Sequence, residues 1–156
     1  MTPEPDHDWQ TGERLIRIAD PAEVDAAFER GEDHLGTAVI GLAHNCPLAD
    51  SAPRILWAMR LPDIEQRRFA FTAAGAAARI NGELTPELYA ALRAEGHRGI
   101  AENAVDDVLT FVPFRGLPPW FKWRRLLTTV RDKLDGWRLS AVDMAEEAWK
   151  KVRRRR

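Results

Sequence analysis

Apolar residues recur at steps of three and four positions along most of this chain, which is the spacing of amphipathic α-helices. The residues predicted to start helices can accept a bond from a free amide or fit the first turn. They are Asp20-Pro21, Asp50 or Ser51, Pro62-Asp63 and Thr85-Pro86. The predicted helix ends are Pro47, Asn81-Gly82 and Gly96. Because no segment alternates apolar and polar residues as a strand does, the pattern predicts an all-α protein of about eight helices.

Small residues dominate the helix predicted after Asp63, which contains six alanines and Gly75 between residues 70 and 78. Ala74 and Ala77 share one face of that helix, so we expect neighbouring helices to approach it closely. A further helix is predicted over residues 98–112, with five apolar side chains facing inward. These are Ile100, Ala104, Val105, Val108 and Phe111. Short, closely packed helices of this kind are typical of a stacked helical repeat.

The segment from Pro113 to Pro119 interrupts the helical pattern and predicts an internal boundary. We therefore divide the chain into a loose terminus over 1–12, a helical repeat domain over 13–113 and a C-terminal extension over 114–156. The extension begins with an apolar seam on a basic helix, formed by Trp120, Trp123, Leu127, Val130 and Leu134. We expect this seam to dock on the end of the repeat domain as a cap, followed by a last helix from Ser140 to the Arg153–Arg156 run.

Charge is distributed unevenly along the chain, although the formal net charge is only −1. Residues 1–112 contain 10 Lys and Arg against 19 Asp and Glu, whereas residues 113–156 contain 13 against 5. This asymmetry indicates either internal electrostatic docking or two surfaces for different partners.

Residues 36 to about 113 resemble the HEAT-repeat-like α-solenoids, and in particular the small bacterial members that act as immunity proteins for polymorphic toxins. The resemblance lies in Pro62-Asp63 with Arg67-Arg68, in the run Ala78 to Leu84, and in the run Ala101 to Phe111. It implies a short right-handed solenoid of helix pairs, in which Asp63 and Arg67 belong to a hydrogen-bond ladder. It also implies a non-enzymatic protein that binds a partner. The extension over 114–156 lies outside the resemblance.

The candidate partner-binding residues are charged positions on the predicted repeat helices. They are Glu65, Arg68, Glu102, Asp106 and Asp107. Glu102 and Asp106 share a helix face, whereas Asp107 points elsewhere, toward a neighbouring repeat. An acidic stripe suits a cationic partner, such as a toxin with a basic active site that the solenoid would occlude. The alternative interpretation is an ordinary solvated acidic face.

A second hypothesis assigns binding to the basic C-terminal helix. Its candidate residues are Trp120, Lys122, Trp123, Arg124 and Arg125. Indole and guanidinium groups together suit nucleic acids and also anionic membrane surfaces. A third hypothesis, a HEAT-like DNA glycosylase, is weaker because the chain is short and its aromatic residues cluster outside the repeats.

The sequence contains no recognisable catalytic or cofactor motif. The four histidines are scattered without metal-ligand spacing, and His44 and Cys46 point to different sides of a helix. Ser51, Thr85 and Ser140 lie at predicted helix starts, where capping explains them. We therefore predict no metal, no cofactor and no enzymatic activity. A single cysteine, expected to be buried, fits a reducing cytoplasm, and no apolar run approaches the ~20 residues of a membrane span.

Overall fold

The computed structural model describes residues 8–131, 133, 134 and 144, and every regular element among them is helical. Six α-helices lie in the first part of the chain. They are α1 (Pro21–Arg30), α2 (Leu35–Asn45), α3 (Leu48–Ala58), α4 (Ile64–Asn81), α5 (Pro86–Glu95) and α6 (Glu102–Phe111). Short 3-10 helices cover Leu15–Arg17, Gly99–Ala101 and Phe114–Gly116. Residues 119–131, 133 and 134 belong to a further helix, α7. The described part contains no strand, so the all-α prediction is confirmed.

Most helix boundaries follow the predicted capping residues. The side chains of Asp20, Asp63 and Thr85 accept bonds from the backbone amides of Ala22, Gln66 and Leu88 at the starts of α1, α4 and α5. Gly82 ends α4 with φ of 67°, a left-handed conformation that glycine adopts without steric cost. These local signals therefore determine the ends of α4 and the starts of α1 and α5.

The predicted start of α3 at Asp50 or Ser51 is wrong. The helix begins at Leu48, directly after Pro47, whose backbone is extended at φ −56° and ψ 150°. Cys46 and Pro47 therefore separate the two helices, since the proline cannot continue α2 but its fixed φ suits the residue before a new helix. Ser51 is consequently fully buried inside α3, where its hydroxyl donates to the carbonyl oxygen of Leu48 at 3.5 Å.

The chain divides into two compact units, Met1–Leu117 and Pro118–Arg156. In the first unit the even-numbered helices contact one another in order, α2 with α4 and α4 with α6. The odd-numbered helices do the same, α1 with α3 and α3 with α5. Contacts of α2 with α1 and α3, and of α3 with α4, join the two rows. Helix α4 is central because it packs against α2, α3 and α6.

Close approach between the even-numbered helices depends on small residues. A Cβ added to Gly36 of α2 would lie 2.4 Å from the carbonyl oxygen of Gln66 in α4. A Cβ on Gly75 of α4 would lie 3.2 Å from the Cα of Ala104 in α6. Ala74 and Ala77 are fully buried, which confirms the prediction that this face of α4 is in contact with neighbours.

A bidentate ion pair joins two odd-numbered helices. Arg54 of α3 donates to Asp25 of α1 through Nε at 2.7 Å and through Nη2 at 2.5 Å. Bonding to Asp25 raises the pKa of the Arg54 guanidinium. Beside it, the rings of Phe28 and Trp57 pack edge to face with centroids 5.7 Å apart. Polar and aromatic contacts therefore fix the register of α1 against α3.

Two predictions of buried side chains need correction. Phe111 is 44% exposed, because it lies at the end of α6. The Arg79 guanidinium lies 5.0 Å from the centre of its ring. Cys46 is partly exposed at the end of α2, and its thiol donates to the carbonyl oxygen of Ala19 at 3.2 Å. Both residues lie at helix ends, where fewer neighbours surround a side chain.

The second unit is described through α7. The rings of Trp120 and Phe121 pack edge to face at 4.7 Å, and Phe121 is buried. The predicted seam is largely exposed among the described residues, since Trp120 is half-buried and Trp123, Leu127, Val130 and Leu134 are more than half exposed. The packing of residues 114–156 on the repeat domain stays a prediction, and the predicted last helix from Ser140 lies largely outside the described residues. Among the described helices, none is both long enough and apolar enough to cross a membrane.

Candidate functional site

An open groove of about 550 Å³ lies between the α1–α2 connection and the α3–α4 connection. Ten residues line it, from the two ranges 31–35 and 61–66, and four of them are carboxylates. These are Glu32, Asp33, Asp63 and Glu65. No lysine or arginine belongs to the lining. We call this feature the acidic groove.

The acidic groove exists because α2 and α4 begin side by side. The backbone amide of Gly36, at the start of α2, donates to the side-chain oxygen of Gln66 in α4 at 2.8 Å. The carboxylates therefore gather near two helix N-termini, whose partial positive charge favours acidic residues. Helix-dipole stabilisation explains Asp63 and Glu65, which cap α4 or lie in its first turn.

The four carboxylates differ in how far their charge is neutralised. Glu32 pairs with Arg30 at 2.8 Å, and Glu65 pairs with Arg68 at 3.5 Å, with both partners of the second pair 55% exposed. Exposed pairs of this kind contribute little binding energy and are easily rearranged. Asp33 is exposed and makes no ion pair with the rest of the described chain. The groove therefore retains negative charge that can attract a cationic group.

His34 belongs to the connection between α1 and α2, and its backbone has a left-handed conformation with φ of 60°. Its Nε2 is 3.2 Å from the carbonyl oxygen of Gln10, and its ring is within about 3.1 Å of where a Cβ on Gly12 would lie. Residues 8–12 form a turn in which Asp8 accepts bonds from Gln10 and Thr11. The Thr11 hydroxyl, followed by the Gln10 amide, lowers the pKa of Asp8. This turn holds one wall of the groove in place.

The predicted partner-binding residues fall into two separate groups. Glu65 lines the acidic groove, and its ion-pair partner Arg68 lies one turn further along α4. Glu102 and Asp106 are exposed one turn apart on α6, as predicted, and neither lines the groove.

Asp107 has a structural role that connects two helices. Arg79 of α4 donates to it at 2.8 Å, which confirms that Asp107 points toward a neighbouring helix. Since its carboxylate also lies 2.7 Å from the position of a Cβ on Gly75, Asp107 packs against the backbone of α4. Its charge is already neutralised, so it is a poor candidate for contact with a partner.

The hydrogen-bond ladder implied for Asp63 and Arg67 is not formed by their side chains. The Asp63 carboxylate accepts from the amide of Gln66 at 2.8 Å, as a helix cap does. The Nε of Arg67 is buried without a hydrogen-bond partner. The Asp63 carboxylate therefore caps the start of its own helix and does not bond to Arg67.

Sequence reasoning missed Glu32, Asp33 and His34, which belong to the acidic groove. They occupy a four-residue connection between two predicted helices, where polar residues are ordinary. Only the pairing of the α2 and α4 starts brings this connection beside Asp63 and Glu65. The sequence contains the run Gly31 to His34 and, separately, the pair Pro62-Asp63. Only the packing of α2 against α4 shows that these two segments face each other.

The residues of the nucleic-acid hypothesis lie together on α7. The Arg124 guanidinium is 5.4 Å from the centre of the Trp120 ring, and Trp123 is 65% exposed. Lys122 and Arg125 lie on the same helix and are half-buried. The helix therefore presents an exposed indole close to several cationic side chains.

Within the described residues, no group of three or more His, Cys, Asp or Glu side chains is placed to hold a metal ion. Burial, and then the nearby carboxylates of Asp50 and Asp20, raise the pKa of the Cys46 thiol. A thiol in this environment is a weak nucleophile.

The groove offers charge and shape for binding, and we find in it no set of groups arranged for a reaction. Comparison with protein-family models, with curated proteins and with solved structures gives no match for this chain.

Proposed function

We propose that this chain is a non-enzymatic protein-binding scaffold of the HEAT-like class, which neutralises a toxin by covering its basic active site. The observation that carries the proposal is the acidic groove, which combines four carboxylates, no lysine or arginine, and an open volume of about 550 Å³. A groove of this size can receive cationic side chains from a partner, and electrostatic complementarity would accelerate association and select against acidic partners.

The helix packing supports the solenoid part of the proposal. In a solenoid each helix pair contacts only its neighbours, so equivalent helices form rows. The order α2–α4–α6 and the order α1–α3–α5 have this property. Arg79 and Gly75 of α4 contact Asp107 and Ala104 of α6 in the same order along both helices, so these two helices run in the same direction. Parallel equivalent helices are what a repeat of helix pairs requires.

The arrangement also explains why binding would occur at the connections. Connections on one edge of a solenoid are free to vary without disturbing the stacked core. Here the α1–α2 and α3–α4 connections line the groove, whereas the buried alanines of α4 pack against neighbouring helices. Apart from Asp63 and Gln66, which also support the helices, binding and stability therefore depend on different residues, and mutations can separate them.

The test pairs this chain with a candidate effector, a toxin with a basic active site that is sought among the genes beside its own. Co-expression should restore growth of cells that produce the effector, and the purified pair should form a complex on size-exclusion chromatography. A variant with Asp33→Lys and Glu65→Lys should bind at least about 100-fold more weakly, since two attractive charges become repulsive.

The control is Glu87→Lys, a single charge reversal. Glu87 is also an exposed carboxylate in the first turn of a helix, but it lies on α5 and outside the groove. The affinity of the Glu87→Lys variant for the effector should change by less than about threefold, as expected for a charge distant from the interface. Equal weakening by the groove variant and by the control, or failure of the effector to bind, would contradict the proposal.

A further inference from the structure

We propose that α7 is an interfacial helix that binds the surface of an anionic lipid bilayer, independently of the acidic groove. The first observation is its exposed apolar face. Trp123, Leu126, Leu127, Val130 and Leu134 are between 48% and 65% exposed. At about 100° per residue, these five positions and Trp120 fall within an arc of about 120°. This is a continuous apolar stripe and not a scatter of single exposed residues.

The second observation is the charge on the two borders of that stripe. Arg124 and Arg131 follow one border, and Lys122 and Lys133 follow the other. Residues 118–134 contain five Lys and Arg and one Asp. Cationic side chains on both borders, with aliphatic and indole side chains between them, are the pattern of helices that lie in the headgroup region of anionic membranes.

The opposite side of α7 carries a buried residue. Phe121 lies about half a turn away from the centre of the stripe and is buried. The buried and exposed apolar residues of α7 thus belong to opposite sides.

The charge distribution decides between possible occupants. A second copy of α7 would bring like charges together along both borders of the seam, which is unfavourable. A nucleic acid would attract the cations and could stack on Trp123, but it would leave Leu126, Leu127, Val130 and Leu134 in water. A bilayer with anionic lipids satisfies both features, because acyl chains accept the aliphatic residues while headgroups attract the cations.

The test measures sedimentation of the full chain with phosphatidylcholine vesicles that contain either no phosphatidylserine or about 30 mol% of it. We expect at least about tenfold stronger partitioning to the anionic vesicles, and a decrease at about 0.5 M NaCl. The variant with Leu127→Glu and Val130→Glu should bind at least about 30-fold more weakly, because both the apolar contact and two units of charge are unfavourable.

The matched control carries Thr128→Glu and Thr129→Glu, which changes the charge equally on exposed positions outside the stripe. Its binding should fall by less than about tenfold, by the electrostatic contribution alone. Circular dichroism should show the same helix content for both variants. Quenching of tryptophan fluorescence by brominated lipids should decrease in a Trp123→Phe variant, which locates the indole in the interface.

Three results would overturn the inference. The first is no binding to anionic vesicles at physiological salt. The second is equal weakening by the two double variants, which would show that charge alone is responsible. The third is binding of a fluorescent single-stranded oligonucleotide that is tighter than vesicle binding and equally tight in the Leu127→Glu, Val130→Glu variant. That last result would assign α7 to nucleic acids.

Discussion

Replacement of Gly36 by alanine tests the contact between α2 and α4 that creates the acidic groove. The added Cβ would lie 2.4 Å from the carbonyl oxygen of Gln66 and 2.9 Å from the Cβ of Phe69. Neither atom can rotate away, since one belongs to the backbone and the other is fixed to it. The helices must therefore separate, and the bond from the Gly36 amide to the Gln66 side chain must lengthen from 2.8 Å.

The magnitude follows from three opposing contributions. Alanine in place of glycine would stabilise an unobstructed helix by at most about 1 kcal/mol. Overpacking against backbone costs about 1–3 kcal/mol, at the upper end here, and the weakened hydrogen bond costs about 1 kcal/mol more. The free energy of unfolding should therefore fall by about 2–3 kcal/mol, which lowers the melting temperature by roughly 5–10 °C.

The assay is urea and thermal unfolding followed by circular dichroism, with Gly116→Ala as the control. A Cβ on Gly116 would meet only a methyl group of Val112 at 3.7 Å, an ordinary contact. Its free energy of unfolding should change by less than about 0.5 kcal/mol. If Gly36→Ala leaves stability unchanged or raises it, α2 and α4 do not approach at this position and the groove is not built as described.

Three further changes test other parts of the structure. Ala74→Leu or Ala77→Leu should lower the free energy of unfolding by about 1–3 kcal/mol through overpacking, and a loss below about 0.5 kcal/mol in denaturant titrations would place this face of α4 in solvent. Because burial raises the pKa of Cys46, its alkylation by iodoacetamide should require higher pH than that of the unfolded chain, and coincident pH profiles would refute this. Burial also raises the pKa of Tyr89, the one tyrosine, so its contribution to stability should persist below the unfolded value near pH 10 and be lost as pH rises through the folded value. Ultraviolet titration of the folded and unfolded chain checks this, and an unshifted curve would contradict the burial of its hydroxyl.

The helices were largely predictable because their signals are local. Asp63 caps the amide of a residue three positions away, and Gly82 supplies a left-handed turn, so both act within one helix end. The start of α3 was placed too late because a proline that follows one helix can also precede the next, and only the observed backbone shows that α3 begins at Leu48.

The candidate site was much less predictable, because it depends on contacts between segments far apart in sequence. Glu65 was identified, but Asp33 joins it only because α2 and α4 begin side by side. Asp107 looks like a free carboxylate in the sequence, yet Arg79, 28 residues away, neutralises it. Periodicity shows which face of a helix is polar, whereas the partner that faces it depends on packing.

The exposed seam of α7 illustrates a second limit. The sequence correctly gives an apolar stripe, but it does not say what covers the stripe. The expectation of a cap followed from the general cost of exposed apolar surface. Trp123, Leu127, Val130 and Leu134 are more than half exposed among the described residues, and the cap stays a prediction. The anionic surface proposed above, from the cationic borders of the stripe, is the other candidate.

Hydrogen–deuterium exchange of the chain, alone and bound to a basic effector that it neutralises, tests the proposed binding mode most directly. Slowed exchange should be confined to residues 31–36 and 61–66, which form and support the acidic groove. Residues 86–95 of α5 should be unaffected, since they lie outside it. Protection confined to α5, to the exposed carboxylates of α6 or to α7, with none in the groove, would contradict the account.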